Sequence, residues 1–154
     1  MIRVVLDTNV LIDADRGSGS FGQRIIELVL NNKLQGLISR AVKNENILIV
    51  NKMIRDPHLK QQILNYFDKC QPVEPVFVKV QLADTEDIKI LAAAVAGEAK
   101  FLITEDRHLL DLDEYQGVII IRPKDWWQWW ERQKDESGET WNSWAKNILG
   151  KKYP

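Results

Sequence analysis

Five residues near the start of the chain, Ile2 to Leu6 (IRVVL), limit the fold more than any other stretch. The run is short, rich in β-branched residues and nearly all apolar. Such a run fits a strand buried on both faces at the centre of a parallel sheet. It stops at Asp7, Thr8 and Asn9, and an apolar helical pattern resumes at Val10, Leu11 and Ala14. A carboxylate at the tip of a buried strand is costly unless something uses its charge. Ligands of open α/β sheets sit just beyond the carboxyl ends of the strands. Asp7 is therefore the first candidate site residue.

A second stretch has the same form. Phe101, Leu102 and Ile103 are a short apolar strand that ends in Thr104, Glu105 and Asp106, and a short helical pattern follows through Leu109, Leu110 and Leu112. Between the two, apolar spacing predicts helices over 21–32, 40–54, 58–69 and 87–98. Strands are expected over 34–38, 76–80 and 118–121, the last closing the sheet. Strands alternating with helices give a three-layer α/β/α sandwich with a mainly parallel sheet. Gly17 to Ser20 reads as a flexible loop, either an entry lid or a plain connector.

The alternation also brings acids together. The helix starting near Asp87 carries the chain away over about 12 residues, ~18 Å at 1.5 Å per residue. The strand through Phe101 returns most of that distance. Asp106 then comes back to the edge from which Asp87 departs, and a parallel strand at Ile2 to Leu6 places Asp7 there too. Three converging carboxylates repel one another, and one would stay protonated near neutral pH. A divalent cation resolves the conflict, and all-oxygen donors suit Mg²⁺ or Mn²⁺. Such a centre can supply a nucleophile for phosphodiester hydrolysis. At the same helix start, Asp84, Glu86 and Asp87 also suit simple N-terminal capping.

Composition sets the remaining bounds. A chain of 154 residues fits one sizeable core, and 45% apolar with 28% charged residues is ordinary for a globular protein. The net charge of −1 disfavours a protein held on nucleic acid by bulk charge, but not one gripping a few phosphates. No apolar run is long enough to span a bilayer, and the first residues lack a signal-peptide layout. Cys70 is the single cysteine, so no internal disulfide can form, and a reducing cytoplasm is the simplest setting. Cys70, His58 and His108 show no zinc-ligand spacing.

Four segments together resemble the PIN domain, the metal-dependent nuclease fold of many prokaryotic toxin–antitoxin ribonucleases. They are VVLDTNVLI at 4–12, SRAVKNE at 39–45, DTEDIKILAAA at 84–94 and FLITEDRHLL at 101–110. The resemblance covers residues 1–125 and implies a metal-dependent endoribonuclease acting on RNA, with an antitoxin as partner. It puts the acidic metal ligands on Asp7, Glu45, Asp87 and Asp106. Spacing alone favours reading Glu45 as a solvated acid paired with a nearby lysine, and it is the resemblance that makes it a site residue. The resemblance also implies orienting hydrogen bonds from Thr8, Asn9 and Thr104. Asp84 would replace or assist Asp87. Arg16, Arg40 and Arg107 lie close to these positions and would hold RNA phosphates, or else are plain exposed charges. His108 is a lesser candidate for proton transfer, because a metal-bound water needs no such base.

Two other readings compete. The fold could serve as a catalytically weak or inactive module that binds RNA or protein. Phosphoryl transfer at an Asp nucleophile, as in haloacid-dehalogenase-like domains, usually needs a second Asp two residues on, where this chain has Asn9. The segment 126–154 departs from the resemblance. It holds all six tryptophans, with a polar break at 134–139 between two helical pieces. Trp126, Trp129 and Trp130, and separately Trp141 and Trp144, are spaced to share helix faces. These faces would pack on the domain or in a homodimer, stack on bases, or take a partner helix.

Overall fold

The fold is given by a computed structural model that describes residues 1–14 and 20–135. Arg16, the glycine-rich loop at 17–19 and the tail from 136 onward, with Trp141 and Trp144, lie outside the described residues. The elements run β1 (Arg3–Leu6), α1 (Thr8–Asp13), α2 (Phe21–Leu30), β2 (Gln35–Ser39), α3 (Arg40–Met53), α4 (Pro57–Lys69) and β3 (Gln71–Val73). They continue with α5 (Thr85–Ala96), β4 (Phe101–Ile103), α6 (Arg107–Leu110), β5 (Glu114–Tyr115), β6 (Val118–Ile121) and α7 (Pro123–Asp135).

The strands form one sheet in the order β3-β2-β1-β4-β6-β5. All neighbours are parallel except β5, which pairs antiparallel with β6. The chain builds outward from β1 through β2 to β3, then returns to lay β4 on the other side of β1. The reversal of strand order therefore lies between β1 and β4, and the crevice above such a reversal is where doubly wound sheets bind ligands.

Both faces of the sheet are covered, as the apolar runs require. Val4 and Leu6 of β1, with Phe101 and Ile103 of β4, point into one core with α1 to α4 and α7. Val5 and Leu102 point into the opposite core against Ile90, Leu91 and Ala94 of α5. Local chemistry fixes the helix starts. Ser39 Oγ accepts from Val42 N at the head of α3, and Asp56 Oδ1 accepts from His58 N ahead of Pro57. Gly22 lets α2 lie against α1, since a Cβ there would sit 2.5 Å from the Val10 carbonyl oxygen.

One expected strand is absent. Residues 76–80 adopt no strand, and the slot beside β2 is filled by Gln71–Val73 instead. Pro72 is tolerated there because β3 is an edge strand, where a missing N–H costs no ladder bond. The place that 76–80 would need is already taken, and Phe77 is left 89% exposed. A two-residue strand, β5, was not expected, and it forms the opposite edge.

The composition change at Trp126 falls inside α7. Trp126 and Trp129 are fully buried and pack on Phe101 of β4, with ring centroids 6.2 Å and 4.7 Å away. Trp130 stacks on Trp126 at 5.6 Å, and Arg24 of α2 lies over the Trp127 ring. Among the described residues, no helix is long and apolar enough to cross a membrane.

Candidate active site

At the carboxyl edge, β1 and β4 end in register, with Leu6 beside Ile103. Asp7 N donates to Ile103 O at 3.0 Å, one ladder bond beyond β1. The Asp7 side chain is thereby held at the strand tip, 5% exposed. Thr104, fully buried, donates from Oγ1 to Asp7 Oδ2 at 2.7 Å. The same hydroxyl accepts from Asp106 N at 2.9 Å. One side chain thus fixes the first acid and the backbone of another. Burial pushes the Asp7 carboxyl above its ordinary value, opposed by the Thr104 hydroxyl and by the backbone N–H groups of Thr8 and Asn9.

Asp87 comes from the first turn of α5, the helix that precedes β4 and so begins at the same edge. It is 4% exposed, and its Oδ2 has no hydrogen-bond partner. Burial, then the charges of Asp106, Asp84 and Asp7, push its carboxyl up to about 6. An unpartnered carboxylate oxygen in a buried position is an unmet demand for a proton or a cation. Asp106 stands at the head of α6, where Oδ1 accepts from His108 N at 2.8 Å. Oxygens of Asp87 and Asp106 and a ring nitrogen of His108 all lie within 4.8 Å of one another. The carboxylates fit a hard cation such as Mg²⁺ or Mn²⁺, and an imidazole nitrogen is better suited to the latter.

Asp7, Glu45, Asp87 and Asp106 all line one open cavity of about 700 Å³, together with Thr8, Asn9 and Asp84. They do not stand alike in it. Glu45, on α3, is ion-paired with Lys89 of α5 at 2.9 Å, and Lys89 also meets Glu86 at 3.0 Å. The Lys89 ammonium holds the Glu45 carboxyl below its ordinary value. Asp84 caps α5, its Oδ1 accepting from Glu86 N at 2.9 Å. Thr8 Oγ1 donates to Asn46 Oδ1 at 2.8 Å, tying α1 to α3. Arg107 is exposed beside Asp106. Arg40 lines a different hollow with Ser39 and Glu74.

Sequence reasoning missed Lys89 and Asn46. Lys89 follows Glu86 by three, the spacing of a helical ion pair. Asn46 falls on the stripe Val42, Asn46, Val50, which α3 buries. A polar residue on a buried stripe is a sign of an internal partner.

A family profile described as the PIN domain matches residues 3–108. The chain belongs to the PIN domain family. PIN domains are generally metal-dependent nucleases, and the acidic cluster lies inside or at the border of the matched span. Among solved structures, the fold is similar to one chain in the crystal structure of VapBC2 from Rickettsia felis bound to a DNA fragment from their promoter. The TM-score is 0.51 at 15% identity, over 77% of this chain and 97% of that one. No curated protein matches the sequence.

Proposed function

We propose that this PIN domain is a Mg²⁺- or Mn²⁺-dependent endoribonuclease and the toxin half of a toxin–antitoxin pair. The observation that carries the reading is the buried Asp87 Oδ2, unpartnered beside Asp106 at the point where the strand order reverses. Family membership supports nuclease chemistry, and the likeness to VapBC2 supports the fold. In this reading Asp7, Asp87 and Asp106 hold the cation, with Glu45 in the same cavity. Thr104 keeps Asp7 aimed at it, and Thr8 and Asn9 supply backbone N–H groups to the same carboxylate. A bound divalent ion would activate a water at neutral pH and stabilise charge on the phosphorane-like transition state. Arg107, exposed and next to Asp106 in the chain, would hold an RNA phosphate. The cytoplasm, where RNA is present, is the setting this function requires, and an antitoxin would cover the site there.

The test is cleavage of single-stranded RNA by purified protein with Mg²⁺, with Mn²⁺ and with EDTA, beside Asp7→Asn and Asp106→Asn. Thermal unfolding of the same samples reports cation binding directly, because a ligand of the native state raises its stability by mass action. Metal-dependent cleavage lost in both variants is the expected result. Binding of RNA without cleavage in any metal would instead favour a non-catalytic binding module.

A further inference from the structure

The carboxylates of the cavity divide into two groups. Asp7, Asp87 and Asp106 have no lysine or arginine ion pair among the described residues; Asp7 and Asp106 are partnered by hydroxyl and N–H groups, with the His108 ring 3.5 Å from Asp106. Glu45 and Glu86 share the Lys89 ammonium at 2.9 Å and 3.0 Å. The first group carries three formal negative charges. The second carries two, reduced by one through Lys89. A divalent ion entering the first group meets an unpartnered, buried Asp87 oxygen. A divalent ion approaching the second must displace an ammonium already hydrogen-bonded to both of its acids.

We infer that Lys89 is a built-in cation occupying the place of a second metal ion, so that the site takes one divalent ion and Glu45 serves to seat Lys89. This rests on the metal-dependent reading above and goes beyond it by fixing the number of ions and the role of Glu45. Lys89 is then a positioning residue. It joins α5 to α3 through Glu45 and cancels charge that would otherwise draw a second cation. The two acids come from different helices, Glu45 from α3 and Glu86 from α5, so removing the ammonium leaves a facing pair of carboxylates. Facing carboxylates with oxygen donors only are a site for a hard cation.

The experiment is Mn²⁺ titration of the full chain by calorimetry and by electron paramagnetic resonance of free Mn²⁺, with no RNA present. Wild type is expected to bind one ion tightly. Lys89→Met is expected to bind a second, at least tenfold tighter than any second ion on wild type, and Glu45→Gln in that background should abolish it. Glu45→Gln alone should change the affinity of the first ion less than threefold, whereas Asp87→Asn should weaken it more than tenfold. Two equivalent ions on wild type, an unchanged single ion on Lys89→Met, or a tenfold loss in Glu45→Gln alone would each overturn the role given to Lys89 while leaving metal dependence standing. No ion on wild type would overturn both. Thermal unfolding of each variant confirms that the titrated protein is folded.

Discussion

Thr104 Oγ1 donates a 2.7 Å hydrogen bond to Asp7 Oδ2, joining two residues 97 positions apart at the ends of adjacent parallel strands. The bond crosses the point of strand-order reversal, so it couples the geometry of the sheet to that of the acids. Thr104→Val keeps the shape and removes the hydroxyl. Asp7 then loses its side-chain donor and Asp106 N loses its acceptor. A loss of about 1–3 kcal/mol in stability is expected, with Thr104→Ser close to wild type. Chemical denaturation of the three proteins checks it. Equal midpoints for wild type and Thr104→Val would mean that the bond adds nothing.

Asp87 sets a pH dependence for the metal-free protein. Its carboxyl is raised to about 6 by burial and by neighbouring acids, whereas an unfolded Asp titrates near ~4. Between these values the native state holds the extra proton, so stability falls as pH rises from about 4 through about 6 and stays reduced above. With the open side of the cavity screening the charge, the loss is on the order of 1–2 kcal/mol. That corresponds to roughly 2–8 °C in melting temperature for a chain of this size. Asp87→Asn in EDTA should flatten this part of the profile and melt higher than wild type at pH 7. Melting curves from pH 4 to 8 decide it.

Asp7→Asn and Asp106→Asn should cut RNA at least about a hundredfold more slowly, since even partners behind a metal ligand are worth ~10–100-fold. Both should stay folded, since the amide retains an oxygen that can accept a hydrogen bond. Single-turnover cleavage with circular dichroism on the same samples measures both properties. Wild-type rates in either variant would remove that acid from the site.

Trp126 is wholly buried against Phe101, the first residue of the strand that leads to Thr104 and Asp106. Trp126→Ala should cost about 3–5 kcal/mol, the range for emptying a large aromatic site. Trp127→Ala, at a partly buried position, should cost much less. Urea unfolding separates the two. Similar losses for both would mean that α7 is not anchored through Trp126.

The acidic edge was legible because short apolar strands ending in Asp leave few arrangements. β1 with Asp7, and β4 with Thr104 and Asp106, could be read from a handful of residues each, and helix length returned Asp87 to the same edge. Pairing that depends on three-dimensional choice was not legible. Nothing local distinguishes 71–73 from 76–80 as the strand beside β2, and the latter is the more apolar. The Lys89 ammonium reaches Glu45 across 44 positions, and no periodicity within one helix reports that. The tryptophans announced a buried face, but that Phe101 would be its partner depends on how α7 folds back.

The register of β1 against β4 also has a consequence in time. Asp7 is synthesised 97 residues before Thr104, yet the groups that aim and complement it are Thr104 and Asp106, and β4 is covered by tryptophans at 126 and 129. Every shorter nascent chain lacks the assembled acids. In a protein that would cut RNA, the template and the machinery reading it are spared until synthesis of the fold is nearly finished.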